Sequence, residues 1–297
     1  MKKPVFKGSA VALITPYTKD GSAVDFDAYG TLIDRQIAGG TAALVVCATT
    51  GEAPTLSDSE HHACIDFAVA RAAGRIPVIA GAGSNDTAHA VEMSRYAMRA
   101  GADAVLLVTP YYNKPTQEGL YTQYAHIAAR VDLPIILYNV PSRTSVCIGA
   151  QVYERLCRIE NINGVKEASG DFALINEIFH RCGGELNVWA GNDDITVPVM
   201  AMGGAGVVST AANLIPEVIR DICARYFSGD HAGAAALQTE YYDILRDLFL
   251  ETNPIPVKTA VNLLGLPGGA MRLPLCAMGE ANLEKLKRSL RNHDLID

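Results

Sequence analysis

The chain has 297 residues, 49% hydrophobic and 19% charged, with a mean hydropathy of +0.14. This composition excludes a disordered chain and supplies core material for one large domain or two ordinary ones. A formal net charge of -7, a pI near 5.5 and the lack of any Lys/Arg block argue against nucleic acid or an anionic membrane as the main partner.

The N-terminus, Met1-Lys2-Lys3-Pro4, is basic, but the apolar run behind it (Ala10 to Ile14) is too short for a signal peptide and meets Pro16. No apolar run reaches membrane-spanning length. The expectation is a cytoplasmic protein.

Eight short β-branched runs recur at intervals of roughly 20–35 residues: Ala10–Ile14, Ala43–Cys47, Pro77–Ala80, Ala104–Val108, Pro134–Tyr138, Gly164–Glu167, Asn187–Ala190 and Gly206–Ser209. They are continuously apolar rather than alternating, as strands covered on both faces are. Helical periodicity fills the gaps. Between Asp25 and Ala38, Phe26, Tyr29, Leu32, Ile33 and Ile37 share a face, and Thr87 to Ala100 stops before Gly101. The alternation predicts an α/β fold, a (β/α)8 TIM barrel, with a doubly wound open sheet as the alternative. Against the open sheet, no Gly-x-Gly-x-x-Gly follows the first strand. After Pro216 only helical segments remain: Pro216–Tyr226, His231–Leu250, Pro256–Leu264 and Ala281–Arg291. We therefore expect a barrel over residues 1–225 that carries the active site, and a helical extension over 226–297 packed on it. The cysteines at 47, 64, 147, 157, 182, 223 and 276 are odd in number and form no Cys-x-x-Cys, so they read as reduced core residues.

In a barrel enzyme the chemistry sits where strands end. Lys166 ends an apolar run and is followed by small residues, as when a buried strand delivers one amine into a pocket. Burial favours the neutral amine, a nucleophile for a ketone or aldehyde, whereas a lysine at a strand end can also simply face water. Tyr138 closes the preceding strand, about 5 Å away, and can act there as a proton shuttle or as rim packing. Thr49-Thr50-Gly51 offers hydroxyls and backbone N–H groups that suit a small carboxylate; the same residues also make an ordinary turn with Thr50 as a cap. Arg143 carries a fork that fits a carboxylate, or an exposed salt bridge.

Other groups read as structural. Asp193-Asp194 has no histidine nearby and fits a solvated or helix-capping doublet better than a metal site. Glu60-His61-His62 looks like an early helix turn. Gly203-Gly204-Ala205-Gly206 lies at the wrong end of its strand for a phosphate, so it signals tight packing. Lys258 rivals Lys166 as the amine, but a structural role suits its place in the first turns of a helix beyond the barrel.

Together these segments resemble the pyruvate-dependent Schiff-base aldolase/lyase family, which includes N-acetylneuraminate lyase, over essentially the whole chain. The resemblance rests on Thr49-Thr50-Gly51-Glu52 (with Ala48 where the family has glycine), Pro110-Tyr111-Tyr112-Asn113-Lys114-Pro115, Tyr138-Asn139-Val140-Pro141-Ser142-Arg143-Thr144, Gly164-Val165-Lys166-Glu167-Ala168 and Gly191-Asn192-Asp193-Asp194. It implies that Lys166 forms the imine with pyruvate and that Tyr138, Thr49 and Tyr112 relay protons, Tyr112 from a neighbouring subunit. It further implies substrate binding by Thr50, Gly191 and the backbone at Val208, and capture of the second substrate's carboxylate by Arg143. Relatives that cleave sialic acid or keto-deoxy sugar acids usually lack this arginine. Its presence favours condensation with L-aspartate 4-semialdehyde over those lyase activities, or over a catalytically silent sensor barrel. The resemblance also implies a homotetramer of two tight dimers and no cofactor, with lysine doing the work that metal aldolases give to zinc. Many members bind lysine at a subunit interface. The matching positions here are Ala53, Pro54, Asp58, His61, Asn85, His89 and Tyr111. His89 stands where lysine-sensitive members carry glutamate, so weak or absent sensitivity is expected.

Overall fold

The computed structural model describes residues 2–297. Eight strands form a closed barrel in chain order: β1 (Gly8–Ala12), β2 (Ala43–Val46), β3 (Val78–Gly81), β4 (Ala104–Val108), β5 (Ile135–Asn139), β6 (Ile162–Glu167), β7 (Asn187–Ala190) and β8 (Gly206–Ser209). Every neighbouring pair is parallel, and β1 closes on β8 through Gly8↔Gly206 and Ala10↔Val208. The open-sheet alternative is thereby removed.

Alternation along each strand divides the apolar residues between two cores. Ala10, Ala12, Val45, Leu106, Ile136, Tyr138, Trp189 and Val208 form one cluster, the barrel interior. Val11, Leu44, Val46, Val105, Leu107, Leu137 and Val165 belong to the other, between strands and helices. Both faces of each strand are therefore dry, which accounts for runs without polar alternation. Trp189 fills much of the interior: its ring stacks on Phe6 at 4.8 Å, and its Nε1 donates to the Phe6 carbonyl at 3.3 Å. Gly164 makes room for it, because a Cβ there would lie 2.5 Å from Trp189 Cζ3.

Strand limits differ from expectation by one or two residues where proline or pairing decides. β3 and β5 begin after Pro77 and Pro134, since proline has no N–H for the ladder. β1 begins at Gly8 rather than Ala10, because Gly8 and Ser9 pair with Gly206 and Val207. At Gly206 a Cβ would sit 1.9 Å from the Gly8 carbonyl oxygen, so the glycine run before β8 serves close packing as expected.

The helix Phe26–Ala38 is capped by Asp25, and Thr87–Ala100 ends at left-handed Gly101. Asp58–Ala72 opens with a capping box of Ser57 and Glu60, which makes Glu60-His61-His62 its first turns. After β8 come helices Pro216–Phe227, His231–Glu240, Tyr242–Asp247, Ile255–Leu263 and Glu280–Asn292. The single helix expected over His231–Leu250 is broken at Tyr241. All seven cysteines are free; five are buried, and Cys147 and Cys276 are exposed. No helix among the described residues is long and apolar enough to cross a membrane.

Candidate active site

β5 and β6 pair so that Tyr138 lies beside Lys166 and Asn139 beside Glu167. The Lys166 amine rests over the Tyr138 ring, 4.4 Å from its centroid, and the two residues are 4% and 6% exposed. The two side chains are therefore in contact, as consecutive strands allow. Strand alternation sends the next residue, Glu167, to the other face. There its carboxylate accepts from Asn139 Nδ2 at 3.0 and 3.1 Å, Tyr153 Oη at 3.1 Å and the Ser169 N–H at 2.8 Å. Burial pushes this carboxyl above its ordinary range, and those bonds pull it back. The network ties together the ends of the two strands that carry Tyr138 and Lys166.

The turn after β2 is strained at both ends, with Cys47 at φ 53 and Glu52 at φ 54. Its geometry resolves the two readings of Thr50. The side chain does not cap the next segment; it is buried, and its Oγ1 accepts from Asn253 Nδ2 at 2.9 Å. Glu52 is fully buried against Lys258, with Nζ 2.6 Å from Oε1. Lys258 also donates to the carbonyls of Thr15, at 3.0 Å, and Ala270. This second buried lysine is consumed by fixed acceptors and offers no free amine.

Arg143 sits on a one-turn helix, Pro141–Thr144, just past β5. No carboxylate pairs with it among the described residues; its guanidinium donates from Nη2 to the Asn253 backbone carbonyl at 2.9 Å. A cavity of about 520 Å³ joins Arg143 to Thr49 and Tyr138. A larger open hollow, about 700 Å³, lies between Arg95, Arg130 and Glu160, before the starts of β5 and β6 and away from every strand end named above.

Val208 lies in the barrel interior beside Ala10. At Gly191 the backbone N–H donates to the Glu167 carbonyl at 2.7 Å, and a Cβ would meet that of Ala168 at 2.5 Å. Tyr112 is the predicted site residue that a single chain does not bring in: it is 90% exposed, with φ 71.

Most positions of the expected lysine site belong to the same cavity. Ala53, Asp58, His61, His89 and Tyr111 line it, and Asn85 Nδ2 holds the Tyr111 carbonyl at 3.2 Å. His61 lies against the Gly81 carbonyl at 2.8 Å, and burial pushes its pKa down. Asp58 lies 3.6 Å from His89.

One reading needs correction. Asp193 is not a solvated carboxylate: it is 2% exposed, and its Oδ2 accepts from the N–H groups of Thr210 and Ala211 at 3.0 and 3.1 Å. Burial pushes its carboxyl up, against the Ser209 hydroxyl, the backbone bonds and the charge of Lys166. It pins the chain where it leaves β8. Only its neighbour Asp194 is exposed. Sequence reasoning also missed Asn253. The available signal was an asparagine directly before Pro254, at the entry to the segment that carries Lys258. No group of three or more metal-binding side chains occurs among the described residues.

The sequence model of the dihydrodipicolinate synthetase family matches residues 5–293. The 4-hydroxy-tetrahydrodipicolinate synthase of Thermoanaerobacter sp. (strain X514) is 50% identical over 294 residues, which are 99% of this chain and 98% of that one. Dihydrodipicolinate synthase from Aquifex aeolicus superposes with a TM-score of 0.95 at 46% identity, covering 98% of this chain and 99% of the other. The enzyme from Acinetobacter baumannii, described as chloride inhibited and complexed with pyruvate, gives 0.95 at 42% identity over the same shares.

Proposed function

The chain belongs to the dihydrodipicolinate synthetase family, and on that premise we propose that it condenses pyruvate with L-aspartate 4-semialdehyde to 4-hydroxy-tetrahydrodipicolinate, in lysine and diaminopimelate biosynthesis. The observation that carries this reading is the Lys166 amine held against Tyr138, while Arg143, with no carboxylate partner among the described residues, lines the same cavity as Tyr138.

The chemistry follows from these groups. Lys166 attacks the pyruvate ketone and, with loss of water, forms an imine. Once protonated, the imine withdraws electrons and the methyl group loses a proton to give an enamine. Tyr138, whose ring lies against that amine, moves the protons, with Thr49 and a neighbouring subunit's Tyr112 as relay. Thr50, Gly191 and the Val208 backbone hold pyruvate. The enamine carbon attacks the aldehyde of the second substrate, whose carboxylate Arg143 binds through its guanidinium fork. The amine of the adduct then displaces Lys166 as the ring closes. In this reading residues 1–225 carry the catalytic groups and residues 226–297 brace them.

Tyr112 fits a homotetramer of two tight dimers in the cytoplasm. Tyr112 is 90% exposed, next in sequence to the cavity-lining Tyr111, so a relay role for it requires a second copy to enclose it. Inhibition by lysine is weak or absent, since His89 supplies no negative charge for an ammonium group and Asp58 already faces His89.

The test is pyruvate consumption with aspartate semialdehyde, N-acetylmannosamine and glyceraldehyde in turn, with borohydride trapping. Consumption with aspartate semialdehyde alone, and an adduct lost in Lys166→Ala, is the expected result. Consumption with a sugar aldehyde alone overturns the substrate assignment, and no adduct with pyruvate overturns the reaction class.

A further inference from the structure

Thr50 follows β2 and Arg143 follows β5, and one residue from the C-terminal helical region bonds to both. Asn253 Nδ2 donates to Thr50 Oγ1 at 2.9 Å, and the Asn253 carbonyl accepts from Arg143 Nη2 at 2.9 Å. Asn253 is 6% exposed and forms part of the cavity wall. A few residues on, Lys258 anchors the same segment through its buried ion pair with Glu52, which belongs to the Thr50 turn.

The direction of each bond matters. Asn253 gives a hydrogen to the Thr50 oxygen, so the Thr50 hydroxyl keeps its own hydrogen for a substrate carboxylate. The Asn253 backbone carbonyl takes one guanidinium N–H of Arg143 and leaves the remaining donors for a second carboxylate. Asn253 Oδ1 is buried without a hydrogen-bond partner. Fold stability alone does not reward an amide left in that state. The side chain is oriented for Thr50 rather than for its own satisfaction.

On the functional reading given above, we infer that Asn253 is a positioning residue that joins the pyruvate subsite at Thr50 to the second-carboxylate subsite at Arg143 and so sets the separation of the two reacting molecules. The C-terminal region then belongs to the active site, although it carries none of the reacting groups.

The test uses the full-length Asn253→Ala and Asn253→Asp variants beside wild type, with melting temperatures as a folding control. Asn253→Ala removes the amide bond to Thr50 and keeps the backbone carbonyl that holds Arg143, so the pyruvate KM rises roughly tenfold, the value of one hydrogen bond, and the KM of the second substrate rises by a smaller factor as the untethered segment shifts that carbonyl. Lys166 stays trappable by borohydride at saturating pyruvate. Asn253→Asp raises the pyruvate KM further, because a carboxylate takes the Thr50 hydrogen and repels the substrate. A packing role alone does not produce that order. Both KM values within about twofold of wild type, or a rise for one substrate only, overturns the inference. If wild type fails to condense the two substrates, the functional reading falls. The linkage is then read from a crystal structure of Asn253→Ala: joint displacement of Thr50 and Arg143 sustains it, and unchanged side chains overturn it.

Discussion

Replacing Lys258 by methionine removes one partner of an ion pair in which neither side chain meets solvent. Methionine keeps most of the volume, so the loss is electrostatic rather than a cavity. Glu52 retains only the Arg272 N–H, at 3.2 Å, and the carbonyls of Thr15 and Ala270 lose their donor. Burial pushes the Lys258 amine down from its ordinary value, and Glu52 opposes that shift, so within the pair each charge faces an opposite one. Stranding one charge leaves it uncompensated and costs about 3–5 kcal/mol. Taking about 4 kcal/mol, and roughly 2–4 °C per kcal/mol for a chain of this size, Tm falls by about 8–16 °C. Thermal melts by circular dichroism at matched protein concentration measure it. Adding Glu52→Gln removes the stranded charge, so the double variant should recover at least half of the loss. A fall under about 3 °C for Lys258→Met, or strictly additive losses in the double variant, refutes the reasoning.

Glu60 is held down to about 2, first by its bonds from the Arg272 guanidinium. A depressed carboxyl stabilises fully above its ordinary value of 4.5, and that stabilisation drains as pH falls towards 2. The Tm gap between wild type and Glu60→Gln should therefore close across that window; a gap constant with pH refutes the assignment. Gly164→Ala places a Cβ 2.5 Å from both Trp189 Cζ3 and the Asn187 carbonyl oxygen. Overpacking there costs about 1–3 kcal/mol. Displacing Lys166 by about 1 Å cuts the rate of borohydride trapping by about a hundredfold, and wild-type trapping with an unchanged Tm counts against it. His89→Glu should create inhibition by lysine that wild type lacks, measured as initial rate against lysine concentration. Half-maximal inhibition of wild type by micromolar lysine refutes the account of that site.

The barrel was legible because its strands are dry on both faces, and runs such as Ala104–Val108 advertise that without help from distant residues. Lys166, Tyr138, Thr49, Thr50 and Arg143 were legible for a related reason. They sit at the ends of such runs, where a polar side chain is out of keeping with its neighbours. Strand order then fixes who stands beside whom, and register placed Tyr138 next to Lys166 as the sequence implied. The limits of β1 and the break at Tyr241 depend on pairing and packing with partners far along the chain, so they were not readable locally. The same holds for every group whose role is set by a distant contact. Asp193 reads as a loop acid until the backbone at Thr210 and Ala211 closes over it. Lys258 and Glu52 are ordinary charged residues until folding buries them together, and nothing near Asn253 in the sequence names Thr50 and Arg143 as its partners. Sequence alone determined which residue types stand at the strand ends, because hydrophobic pattern and residue type are local properties. Tertiary structure decided what holds those groups in place, because burial and hydrogen-bond geometry exist only between segments that folding brings together.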